Sequence, residues 1–90
     1  MAKAVVDPEA LQRFAAQLKR FTSDVQIQLA TVHRQFLKLG ETWQDQEHAK
    51  FAEEFERTVH VMNRFASASE KQIPILLRKA QSIREYLGQG

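Results

Sequence analysis

Apolar residues recur from Leu11 to Leu39 in steps of three and four: Leu11, Phe14, Leu18, Phe21, Val25, Leu29, Val32, Phe36 and Leu39. That spacing places all nine on one stripe of an α-helix, so the pattern predicts an amphipathic helix over about residues 8–39. Its start is marked by Asp7-Pro8-Glu9: an acid suited to the N-cap, a proline whose missing N–H costs nothing there, and an acid favoured by the helix dipole. The consecutive steps of four through Val25 and Leu29 locally relax the heptad toward an eleven-residue repeat.

Gly40 follows the last apolar position, where a glycine able to adopt a left-handed conformation ends a helix. Thr42 and Asp45 are spaced as a capping box, which predicts a turn over about 40–42 and a second helix from Trp43 to about residue 87. The second stripe is stricter. Ala52, Phe55, Val59, Met62, Ala66, Ser69, Ile73, Leu76, Ala80, Ile83 and Leu87 alternate by three and four as a coiled-coil seam. Phe51, Phe65 and Leu77 flank it and widen the apolar face beyond what one partner helix covers. Pro74 has no N–H for the carbonyl of Glu70 and predicts a kink near 70–74 in a helix whose period continues through it.

Two long helices and a short turn predict an all-α chain, a single antiparallel helical hairpin over residues 1–90. A lone hairpin buries one seam, and six phenylalanines exceed what that seam takes up. Dimerisation into a four-helix bundle follows as the expectation. Its core and dimer interface would be drawn from Leu11, Phe14, Leu18, Phe21, Phe36, Phe51, Phe55, Val59, Met62, Phe65, Ile73 and Leu76. A homodimer and a heterodimer with a related hairpin satisfy these faces equally.

Composition narrows the chemistry. The chain has no cysteine, which removes disulfides and thiolate metal sites. Its net charge of +2 is unevenly spread: residues 1–40 carry six basic and three acidic residues, 41–56 one basic and six acidic, and 57–90 six basic and two acidic. The basic residues are dispersed singly, without an aromatic stacking platform, which argues against nucleic acid. No apolar run reaches the roughly 18 residues of a membrane span, and the opening MAKAVVDPEA lacks a signal-peptide core. The chain is therefore expected to be made in the cytoplasm and, if secreted, to leave without a cleaved signal peptide. His33, His48 and His60 lack the short spacing of a zinc site, and Glu53, Glu54 and Glu56 read as a solvated helix face. With no nucleophile elbow, phosphate loop or zinc-protease motif, a non-enzyme without cofactors is expected.

Leu39, Trp43, Ala49, Phe51 and Phe55 form the pattern through which the chain resembles the WXG (Trp-X-Gly) proteins, the small early-secreted-antigen-like helical substrates of type VII secretion. The resemblance spans nearly the whole chain and implies a hairpin with the motif at its turn, pairing into an antiparallel four-helix bundle. It implies protein-protein work as a secretion substrate or as partner of a secreted effector, with contacts to a secretion motor or effector. An intracellular structural or adaptor coiled coil sharing only the fold is the other reading. Trp43 and Asp45 are the turn residues that such a partner would recognise, although Trp43 equally reads as a plug closing the bundle end and Asp45 as a cap. Two positions depart from the family. Asp45 stands where the motif has glycine, and Tyr86, the counterpart of the C-terminal export tyrosine, is followed four residues later by Gly90 in place of an acid.

Overall fold

Both predicted helices form and fold back on each other, as the computed structural model, which describes residues 6–89, shows. The first, α1, spans Pro8–Leu39, and the second, α2, spans Gln46–Gln89. Among the described residues there is no strand. The expected antiparallel two-helix hairpin is therefore the architecture. Its extents of 67 × 26 × 15 Å are those of a single layer two helices wide, since one helix with its side chains is about 10–12 Å across. Nothing in a single layer covers either broad face.

The start of α1 follows from its first three residues. Asp7, extended at φ −75° and ψ 116°, accepts a hydrogen bond from the Glu9 N–H at 2.9 Å, and Pro8 occupies the first turn. The end of α1 falls at Leu39, but not through a left-handed cap. Gly40 has φ −63° and ψ −15°, and no glycine among the described residues has positive φ. The chain leaves the helix through tightened bonds instead: the N–H groups of Glu41 and Thr42 donate to the carbonyls three residues back, and Trp43 N–H to Leu39 at 3.0 Å. Glycine is useful at position 40 for space. A Cβ there would lie 3.3 Å from the Leu37 carbonyl oxygen and 3.4 Å from His48 Nε2, because the imidazole packs over the turn.

The second helix begins at Gln46, three residues later than expected. Asp45 is its N-cap, accepting from the His48 N–H at 3.0 Å. Thr42, expected in that role, turns its hydroxyl back toward the Leu39 carbonyl at 3.4 Å. Capping geometry explains the shift: an acid at N-cap bonds the third helical N–H directly, so Asp45 serves better as cap than as the fourth member of a box opened by Thr42. Trp43 thus lies in the loop rather than in the helix. Helix α2 continues through Pro74 as one element.

The contact between the helices is built from small side chains. Ala15 and Thr22 of α1 and Ala66, Ser69, Ile73 and Ala80 of α2 are buried, joined by Phe36 near the turn. The expected stripe residues Leu11, Leu18, Val25 and Leu29 are half-buried beside them, as are Phe55, Val59, Met62 and Leu76 across the seam. Four of the residues expected in the core or interface are not inside the single hairpin: Phe14, Phe21, Phe51 and Phe65 are 45–56% exposed. The reason is steric. Ala15 and Thr22, each one residue after a phenylalanine, let the backbones approach, and the larger rings are displaced to the edge of the contact.

Candidate functional site

The two edges of the seam differ in chemistry. On one, Phe14, Phe21, Val32 and Leu39 of α1 share a helical face and are exposed. Phe51 and Phe65 line the same edge from α2, with the Phe21 and Phe65 rings edge-to-face at 6.3 Å. Near the turn this edge opens into an apolar groove of about 350 Å³ lined by Val32, Gln35, Phe36, Leu39, Phe51 and Phe55. The opposite edge is polar. His33 Nε2 meets Glu56 at 2.7 Å, Arg84 meets Glu9 at 3.4 Å and also donates to Gln12, and between them lie Lys19, Thr22, Ser23, Gln26 and Glu70. The two edges are thus both open to solvent, one lined by polar side chains and the other by apolar ones. An apolar strip exposed along a helical hairpin is the feature that marks an interaction surface.

The apolar edge ends in an aromatic cluster that ties the turn to both helices. Phe36 stacks on the His48 ring at 5.0 Å and 10°, and the Trp43 indole meets that ring edge-on at 4.9 Å. Phe51 and Phe55 complete the cluster, each within 5.4 Å of Phe36. Trp43 is half-buried at the end of the seam and borders the apolar edge through Phe51 at 6.3 Å. His48 was not picked out by sequence spacing. Its Nε2 is buried with no hydrogen-bond partner, and its part is as a flat packing element between Phe36, Trp43 and Gly40. The amphipathic spacing of His48 from Phe51, Ala52 and Phe55 was the signal that could have assigned it inward.

Asp45 is held below the ordinary carboxylate range, first by the His48 backbone N–H, with the Trp43 indole and the Glu47 N–H adding to it against partial loss of solvent. Glycine and aspartate are both accepted at an N-cap, and aspartate ranks higher. Asp45 in the glycine position of the motif is therefore a stronger cap in an ordinary backbone conformation, since no non-glycine residue among those described has positive φ. A pKa lowered by folding contributes stability above the unfolded value that is lost as pH falls through the folded one. We predict that Asp45→Asn flattens the decline of melting temperature below the ordinary value of 3.8, measured by circular dichroism. An acid limb identical to that of the parent chain would show that the cap does not couple to folding.

The remaining expected positions are dispersed. Tyr86 is 76% exposed near the end of α2, and Gly90, four residues on, lies outside the described residues. His60 and the Glu53-Glu54 pair are exposed. Among the described residues no group of three His, Cys, Asp or Glu is placed to hold a metal, and no helix is long and apolar enough to cross a membrane.

Residues 4–86 match the family described as WXG100, proteins of 100 residues with WXG. No curated protein and no solved structure matches the chain.

Proposed function

We propose, since the chain belongs to the WXG100 family, that it works as one half of a hairpin pair that travels through a type VII secretion system or accompanies an effector through it. The family is a non-enzymatic group of small helical proteins associated with type VII secretion, and its members typically form helical hairpin dimers. One observation carries the reading for this chain: the apolar edge of Phe14, Phe21, Phe51 and Phe65 lies exposed along a hairpin whose other edge is polar. Each ring is already about half-buried, so covering the rest gains about half of the roughly 1.5–3 kcal/mol of full burial, and a second hairpin would make that gain at all four positions. The grooves among the described residues are open to solvent, and protein contact is the activity this surface supports.

The turn supplies the second element of the reading. Trp43, half-buried against His48, and Asp45, exposed beside it, stand at the end of the layer, where a motor or effector would meet the pair without disturbing its long face. The test is release into the medium from cells with a working secretion ATPase and from cells in which that ATPase is inactivated, against a cytoplasmic marker and with any natural partner co-expressed. Release is expected only with the working motor, and Phe65→Asp, placed on the open edge, is expected to reduce it several-fold while helix content is kept. Equal release from both strains would sink the export reading and leave an intracellular adaptor.

A further inference from the structure

We propose that the outer face of α2, turned away from α1, is a second helix-binding seam, and that its occupant is an acidic amphipathic helix of another protein. The inference rests on the reading that this chain works through protein contacts, to which it adds a surface and a partner chemistry. It does not depend on export.

Lys50, Arg57, Arg64, Lys71 and Arg78 recur at intervals of seven along α2. The last four each stand five positions after a residue of the inner seam, Ala52, Val59, Ala66 and Ile73, which is the place in a heptad furthest from the facing helix. Cations spread singly through the sequence therefore form one row, spaced by about 10 Å along the axis, on the side of α2 opposite α1. Val61, Ala68 and Ile75 stand between successive cations and are exposed with them, Val61 at 55% and Ile75 at 46%. From Arg57 to Arg78 the row alternates basic and apolar residues in steps of four and three.

A solvated helix face ordinarily mixes both charges and pairs them along the helix. Arg57 is paired in that way, with Glu53 at 3.6 Å. Arg64, Lys71 and Arg78 are not: no acid stands three or four positions to either side of them, and none of the three meets a carboxylate among the described residues. Between the first two of these, Arg64, Ser67, Ala68, Lys71 and Gln72 frame a shallow groove of about 320 Å³. Ala68 lies four residues from one cation and three from the other, so a carboxylate held over its methyl group is within reach of both long side chains.

Period selects the kind of occupant. A helix packed along α2 follows a three-four alternation over several turns, whereas a membrane surface takes a helix with a broad apolar face and a separate basic face. Here the apolar and basic residues share one narrow line. Charge selects the occupant's chemistry: carboxylates at heptad spacing, with apolar residues between them, neutralise a row that this chain leaves without counter-charge. The row also stays free when the phenylalanine edge is covered, since the neighbours Arg64 and Phe65 point about 100° apart around the helix.

The probe is a synthetic helix of about four heptads in which glutamate and isoleucine alternate in steps of four and three. Its control has the same composition with the glutamates distributed around the helix. Binding to the parent chain is measured by fluorescence anisotropy in about 150 mM salt, where charges are screened beyond about 8 Å. The patterned helix is expected to bind at least about tenfold more tightly than the control, and Arg64→Glu and Lys71→Glu are each expected to weaken it by at least about tenfold. Arg20→Glu, at an exposed position of α1, makes the same change in net charge and is expected to alter binding by less than about twofold. Circular dichroism checks that all three variants keep their helix content. Equal binding of the two peptides, or an equal loss with Arg20→Glu, would show unspecific attraction and overturn the seam. Vesicles containing phosphatidylserine that bind more tightly than the patterned helix, and lose that binding with Lys71→Glu, would overturn the helical partner in favour of a lipid surface. Absence of binding by the patterned helix would overturn the proposal and leave the export reading standing, because release into the medium tests that separately.

Discussion

Phe36→Ala is expected to lower the stability of the hairpin by about 3–5 kcal/mol, the range for truncating a buried aromatic. Phe36 is 8% exposed and is the only phenylalanine buried in the single layer. It touches the His48 ring on one face and Phe51 and Phe55 beside it, so its removal takes away the centre of the cluster rather than one member. Aromatic pairs contribute about 0.5–1.5 kcal/mol each beyond the area they bury, and three are lost together. A small domain has roughly 5–15 kcal/mol in total, so the variant is expected to be largely unfolded on modest warming. Thermal unfolding followed by circular dichroism measures this, at one fixed chain concentration because association raises the apparent midpoint. Trp43 is the sole tryptophan and lies against His48, so its fluorescence should shift to the red as the cluster opens. An unchanged midpoint and spectrum would show that the turn is held by its backbone bonds and not by these rings.

The second large effect is expected at the opposite kind of site. Ala66→Leu replaces a methyl by an isobutyl group, three more carbons, where the side chain is 0% exposed, on a seam of Ala15, Thr22, Ser69 and Ala80 that is close because those residues are small. The added carbons have no cavity to enter, and either the helices separate or the leucine leaves its preferred rotamer. Overpacking of this kind costs typically 1–3 kcal/mol. Here the loss extends along the hairpin, because moving α2 outward also loosens Phe36 on the turn. Ala68→Leu, two residues on and exposed, has the same helix propensity change without the steric one. A drop in midpoint for Ala66→Leu and none for Ala68→Leu is the expected pair of results. Equal midpoints would mean that the seam has slack and that the small residues do not set the helix spacing.

These two sites show how unevenly the fold can be read from residues. Hydrophobic periodicity selects large apolar side chains, so Phe14, Phe21, Val32 and Leu39 stand on the stripe, whereas Ala15 and Thr22, buried more completely against α2, do not. In α2 the seam coincided with the apolar period, because there the small residues, Ala66, Ser69 and Ala80, themselves occupy heptad positions. The aromatic turn was legible in part. Gly40, Thr42, Trp43 and Asp45 were recognisable as punctuation, but which of them capped α2 depended on the path of the loop.

From sequence alone came the two helices, the stop at Leu39, the single hairpin, the excess of aromatic surface and the acidic turn between basic arms, because periodicity, capping chemistry and charge are local properties of a chain. Only the tertiary structure decided that small residues form the inner contact, that Phe14, Phe21, Phe51 and Phe65 line one edge while polar side chains line the other, and that Gly40 gives way to the His48 ring. Each of those depends on how closely two backbones approach, and that distance is set by side chains far apart in sequence, whose sizes no single-helix pattern compares.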